Sequence, residues 1–247
     1  RLDVRAAALD NQPALEAVFA FVNAIIGGSL PHLPNLLAST LLGFHKPGGG
    51  IRPIAIGEVW LRLAGLCAMA ACPDAGRALA PLQLGVGTPG GSQSIGHAVR
   101  TGMEADPGCV TVQLDWRNAF NTLSRGAMLD AVAQHQPALL PFATWAYQQP
   151  SQLLVSGAPA DTPALMSESG VRQGDPCGPL LFALALQGPL ERLRQTHPDV
   201  RVVAYADNTF LQGSPAALAR VFPALCASGA LIGLEVALAK CGAYSPD

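Results

Sequence analysis

A mixed α+β fold is predicted for this chain of 247 residues. Two kinds of signal predict it. Stretches with apolar residues at helical spacing, such as "ALEAVFAFVNAII" (14–26), are interspersed with short apolar arms flanking turn sequences, as in "FHKPGGGIRPIAI" (44–56) and "RVVAYADNTFLQG" (201–213). Half of the residues are hydrophobic and 13% are charged, a globular composition with enough chain for one large domain or two small interleaved ones.

Taken in order, the chain opens on "RLDVRAAALD", which lacks the architecture of a secretory signal. No later apolar run reaches bilayer-spanning length, because Gly, Pro, Gln or a charge interrupts each one. The expectation is an intracellular, unsecreted protein, nuclear or cytoplasmic, with no membrane partner. The missing initiator Met points to a fragment. Helices are expected at 14–26 and at "EVWLRLAGLCAMAA" (58–71), and the Pro-Gly-Gly-Gly hairpin between them places Lys46 and Arg52 on opposite arms near its tip. "CVTVQLDW" (109–116) alternates as a strand does, with Val110, Val112 and Leu114 on one face and Thr111, Gln113 and Asp115 on the other. Helices at "RGAMLDAVAQ" and "LLPFATWAY" and a strand at "SQLLVS" (151–156) follow. After them come the apolar helix "LLFALALQGPLERLRQ" and a hairpin at 201–213 with Asp207 and Asn208 at its tip. A helix at "PAALARVFPALCAS" and a short strand in "KCGAYS" close the chain.

Three features narrow the chemistry by exclusion. The six cysteines form no CxxC pair and no zinc spacing, so free, mostly buried thiols are expected. "GVGTPGGSQS" puts Gly85, Gly87 and Gly90 in GxGxxG spacing, but the preceding "ALAPLQL" is a poor strand, and Gly91 stands where a P-loop needs lysine. It reads as a flexible loop before a helix capped by Ser92. The net charge of −2 is a weak footprint for a nucleic-acid binder, although phosphate contacts need a basic groove and not a basic chain. Of fifteen basic residues only Lys46 and Lys240 are lysine.

Asp115 at a strand end and Asp207 at a hairpin tip suit the need of a divalent cation for carboxylate oxygens. Taken alone, Asp115 reads as an ordinary strand-end acid near solvent and Asp207 as an ordinary turn residue. In order and spacing, "LDWRNAFNTL" (114–123), "GVRQGDPCGPLLF" (170–182), "YADN" (205–208) and "GLEVALAKC" (233–241) resemble successive palm motifs of reverse transcriptases. The likeness is to enzymes of non-LTR retrotransposons and group II introns, and "HKPGGGIRPIAI" is similar to their fingers hairpin.

The resemblance implies a right-hand polymerase-type fingers and palm, with an antiparallel palm sheet backed by helices and the thumb apparently absent. It divides the chain into fingers (1–108) and palm (109–247), with an interleaved fingers segment at about 130–170. It implies RNA-directed DNA synthesis from an RNA template, a DNA primer and deoxynucleoside triphosphates, with two Mg²⁺ ions for which Mn²⁺ can substitute. Asp115 and Asp207 become metal ligands and, with Asn208 and Lys240, catalytic residues, Lys240 protonating the departing pyrophosphate. Lys46 and Arg52 hold the triphosphate, Gln173, Gly174 and Tyr205 lie at the substrate, and Phe120 excludes a ribose 2′-hydroxyl. Asn208 departs from the family's second aspartate, keeping the shape and an oxygen while removing a charge. Further domains of a longer polyprotein are expected. The alternative is a non-catalytic relic of the polymerase fold, or an RNA-binding module.

Overall fold

The computed structural model describes residues 11–46, 49–106, 108–159 and 161–245. The opening decapeptide and hairpin-tip residues 47 and 48 lie outside them. Helix α1 (Gln12–Ile26) starts where Asn11 Oδ1 accepts the Ala14 amide at 3.2 Å, two residues earlier than the apolar spacing predicts. A turn of helix, α2 (Pro34–Leu37), leads into β1 (Ser39–His45), which pairs antiparallel with β2 (Ile51–Gly57). Helix α3 (Val59–Ala70) follows, then α4 (Gly91–Ala105), whose N-cap is Gly90 at φ 65° and not Ser92.

The second half begins with β3 (Val110–Leu114) and one helical turn, α5 (Ala119–Thr122). Helices α6 (Arg125–His135) and α7 (Leu140–Tyr147), strands β4 (Ser151–Val155) and β5 (Leu165–Ser167), and helix α8 (Gly178–Thr196) come next. Strands β6 (Arg201–Tyr205) and β7 (Asn208–Gly213), helix α9 (Pro215–Ala230) and strand β8 (Gly242–Tyr244) complete the order. Strand β5, too short to alternate visibly, went unread in the sequence.

Among the described residues the strands form two four-stranded sheets. The first has the order β2-β1-β4-β5, in which β4 runs parallel to β1, so a segment from the second half of the chain completes a sheet begun in the first. The second, order β6-β7-β3-β8, is antiparallel throughout. Helix α8 is apolar all round and buried through most of its length, as such a stretch must be, and turns polar and exposed after Leu190 with only Leu193 still buried. It packs on α6, α9 and β6 and supplies much of the core with Leu114, Trp116 and Phe142.

Two local readings need correction. The turn between β6 and β7 is Ala206–Asp207, and Asn208 is already paired with Tyr205 across the ladder. An alanine, not an Asp-Asn pair, therefore takes the left-handed position, at φ 53°. Nor are the thiols mostly buried: Cys109 and Cys177 are, while Cys67 is exposed and Cys72, Cys226 and Cys241 are half-buried. On β3, Thr111 is buried and accepts from Gln212 Nε2 at 3.0 Å, which also donates to Val99 O on α4 at 2.7 Å.

Candidate active site

Asp115 directly follows β3, and its main chain is clipped in place by the segment beyond α9. Ala237 N donates to Asp115 O at 2.8 Å, Arg117 N donates to Glu235 O at 2.7 Å, and Trp116 bridges Val236. The same clip ends in Lys240, whose Nζ stands 3.5 Å from Asp115 Oδ1 in a half-exposed ion pair. Asp207 projects from the β6–β7 turn.

Both aspartates line one cleft of about 780 Å³, together with Lys46, Arg52, Phe120, Gln173, Gly174 and Lys240. Eight of the ten sequence-predicted site residues thus meet around a single space. Tyr205 and Asn208 are not among the lining residues; Asn208 Oδ1 instead accepts from Gln113 Nε2 at 3.4 Å. Phe120 faces two ways, lining the cleft while its ring stacks on Phe182 with centroids 4.7 Å apart.

Burial raises the Asp207 pKa above its ordinary value, and the charge of Asp115 adds to the rise. Arg52 and Lys240 act against it. Two neighbouring carboxylates of which one is ionised at a cost are a fitting partner for a hard cation, whose charge removes that cost. Among the described residues no group of three or more His, Cys, Asp or Glu side chains gathers. The two carboxylates that line the cleft are oxygen donors of the kind that a hard cation such as Mg²⁺ takes, with phosphate and water completing its shell.

The wall that presents Gln173 and Gly174 rests on a buried ionic network. Arg172 and Asp175 are almost wholly buried and form an ion pair at 3.6 Å. The Arg172 guanidinium also donates to Leu37 O, Ser151 Oγ and Ala146 O, which ties this loop to the first sheet. Tyr147 OH donates to Asp175 Oδ2 at 2.5 Å, and both Arg172 and Arg125 lie over its ring. Burial, and then the neighbouring Arg172 charge, lower Arg125 to about 10. Gly174, at φ 119°, lets the loop approach β2 so closely that a Cβ would meet Ala55 O at 2.6 Å, while Ala55 N donates to Gln173 O at 2.7 Å.

The family described as reverse transcriptase (RNA-dependent DNA polymerase) matches residues 44–246. The chain belongs to the reverse transcriptase family. The retrotransposable element SLACS 132 kDa protein of Trypanosoma brucei gambiense is 31% identical over 209 residues, which cover 81% of this chain and 17% of that protein. The reverse transcriptase domain here therefore spans under a fifth of that relative. Among solved structures, apo telomerase from Candida tropicalis truncated from its C-terminal domain superposes with a TM-score of 0.62. The identity is 10%, over 87% of this chain and 51% of that one. Telomerase from Candida albicans, in complex with a TWJ fragment of telomeric RNA, gives 0.60 at 9% identity over 94% and 46%. The fold is a polymerase fingers and palm.

Sequence reasoning missed Arg172, Asp175 and Tyr147. The first two sit inside the quoted "GVRQGDPCGPLLF", and their signal was an Arg and an Asp three apart beside an apolar helix. Tyr147 carried no signal of its own. No helix among the described residues is long and apolar enough to cross a membrane.

Proposed function

We propose that this domain is an RNA-directed DNA polymerase of a retroelement, adding deoxynucleotides to a primer 3′-hydroxyl on an RNA template. The observation that carries the reading is the convergence of Asp115 and Asp207 with Lys46, Arg52, Gln173 and Lys240 around one cleft. In this reading residues 1–108 are fingers and 109–247 palm. The pairing of β4 with β1 supports an interleaved fingers segment within 130–170.

Asp115 and Asp207 would hold two Mg²⁺ ions, or Mn²⁺, which when bound activate the attacking hydroxyl and neutralise the triphosphate. The rest is positioning and charge. Lys46 and Arg52, from opposite arms of the first hairpin, bind the triphosphate oxygens of the deoxynucleotide. Gln173 and Gly174 lie against the incoming base and template, with Tyr205 behind the turn. Phe120 crowds a 2′-hydroxyl, and its stacking on Phe182 fixes the ring for that task. The 3′-hydroxyl gives up its proton to solvent water, and its oxygen forms the bond to the α-phosphorus as the bond to pyrophosphate breaks. Lys240, released from Asp115, gives the leaving pyrophosphate a proton.

A non-catalytic, RNA-binding role is the second reading, favoured by Asn208, which stands in place of a second aspartate and whose Oδ1 accepts from Gln113. Primer extension on an RNA template separates the two. Wild type should extend, and Asp115→Asn should lose at least about a thousandfold in rate, roughly 4 kcal/mol of barrier. Wild type that binds primer–template and never extends it establishes the second reading.

A further inference from the structure

The glycine-rich segment that sequence spacing marked as a loop is built against the turn bearing Asp207. Residues 82–84 run beside β6, with Leu84 N donating to Ala204 O at 2.8 Å and Ala204 N to Leu82 O at 2.6 Å. Between them Gln83 is wholly buried. Its carboxamide bridges the two peptide units that flank the Ala206 Cα. Nε2 donates to Ala206 O at 3.0 Å, and Oε1 accepts from Ala206 N at 2.8 Å. Oε1 also accepts from Gly85 N at 3.0 Å, and a Cβ on Gly85 would collide with the Ala206 nitrogen.

Ala206 is the residue that needs such a grip. A two-residue hairpin turn calls for a left-handed first position, ordinarily filled by Gly, Asn or Asp. Here an alanine occupies it at φ 53°, a conformation that its Cβ disfavours. Strained backbone of this kind persists only where its surroundings over-determine it. Asp207 is the next residue, so the Ala206 peptide plane sets the direction of the carboxylate.

We propose that Gln83 is a positioning residue of the polymerase site, holding the Ala206 peptide in left-handed geometry and so aiming Asp207 into the cleft. This rests on the polymerase reading above for its catalytic consequence, though not for its geometry. A glutamine that merely satisfied its own amide in the core would contribute to stability alone. Gln83 contributes to where a metal ligand points.

The test compares Gln83→Met, equal in length and without the paired bonds, with wild type, each alone and combined with Ala206→Gly. Mn²⁺ affinity by electron paramagnetic resonance should weaken about 10–100-fold in Gln83→Met, as is usual when a ligand loses its outer support. The kcat for primer extension should fall over a similar range, while the KM for primer–template stays within about twofold. In the Ala206→Gly background, where left-handed geometry carries little penalty, the loss should shrink to under about threefold. In wild type the Ala206 amide should exchange slowly with solvent. That measurement needs no variant and stands even if Gln83→Met does not fold. A folded Gln83→Met with wild-type Mn²⁺ affinity, an equal loss in both backgrounds, or a fast-exchanging Ala206 amide overturns the proposal. If wild type binds Mn²⁺ but extends no primer, the polymerase reading fails while the affinity and exchange arms still decide Gln83. Wild type that binds no Mn²⁺ overturns both.

Discussion

Asp175 and Asp207 border the same cleft and are held in opposite ways. Asp175 accepts from Tyr147 OH at 2.5 Å and from Cys177 N at 2.8 Å and pairs with Arg172, all three groups being buried. Asp207 has no such set. Among the described residues its favourable partners are its own backbone N–H and the charges of Arg52 and Lys240, and burial raises its pKa. Asp115 stands between these extremes, with one half-exposed partner in Lys240. A saturated carboxylate has nothing left to offer a ligand and serves as frame. An unsaturated one keeps its lone pairs for a cation, at a cost in stability that the frame offsets.

The sharpest break of this comparison is to cut one ion pair from each region. Arg172→Leu leaves the Asp175 charge buried without its guanidinium and strands two carbonyls, of Leu37 and Ala146, and the Ser151 hydroxyl, so a loss of about 3–5 kcal/mol is expected. For a domain of this size that is a fall in Tm of roughly 6–20 °C. Lys240→Met removes an exposed partner and should cost less than about 1 kcal/mol. Thermal denaturation of both variants checks the contrast. A Tm for Arg172→Leu within about 2 °C of wild type would show that the junction is not framework.

How much of this was legible in the sequence follows from the kind of interaction involved. The second sheet's strands and Asp115 could be read because alternation and ordered motifs are local. Lys46 and Arg52 came with their hairpin. Gln83 could not be read, because its meaning is two hydrogen bonds to a residue 123 positions away. The neighbouring glycines looked like a nucleotide-binding pattern for the same reason. Their spacing was visible, and the Ala206 backbone that fills the space above Gly85 was not. Arg172 was hidden in a different way. A charged residue in a motif reads as a ligand contact until its guanidinium is found buried on carbonyls of Leu37 and Ala146.

A smaller effect sharpens the comparison from the other side, by adding charge to the undersaturated region. Asn208→Asp brings a second negative charge next to Asp207. Gln113 Nε2, which donates to Asn208 Oδ1, can serve a carboxylate equally well. Because position 208 is not among the cleft-lining residues, the gain acts through the field, and about tenfold in extension rate, or 1.4 kcal/mol, is expected. The added like charge raises the Asp207 pKa further, so the acid limb of the pH–rate profile should move to higher pH. A variant that binds primer–template but extends no faster, with an unmoved acid limb, shows that charge at 208 does not limit the site.

The smallest effect expected is on stability at Asp207 itself, and its sign is the test. A carboxyl whose folded-state pKa is raised loses its proton more readily when unfolded. Below the unfolded value, about 3.9, both states are protonated and Asp207 carries no penalty. As pH rises from there through the folded value the penalty develops, and above it the whole penalty is present. Asp207→Asn removes the charge while keeping the shape. In metal-free buffer the variant should therefore melt higher than wild type at pH 8, with an advantage that fades as pH falls toward 4. On the proposed metal-binding role of the carboxylate pair, millimolar Mg²⁺ should raise the wild-type Tm more than the variant's. Melting curves from pH 4 to 8, with EDTA and with Mg²⁺, read both effects. A variant that melts lower than wild type at pH 8 in EDTA would mean that Asp207 is held as comfortably as Asp175, and the contrast between frame and site would collapse.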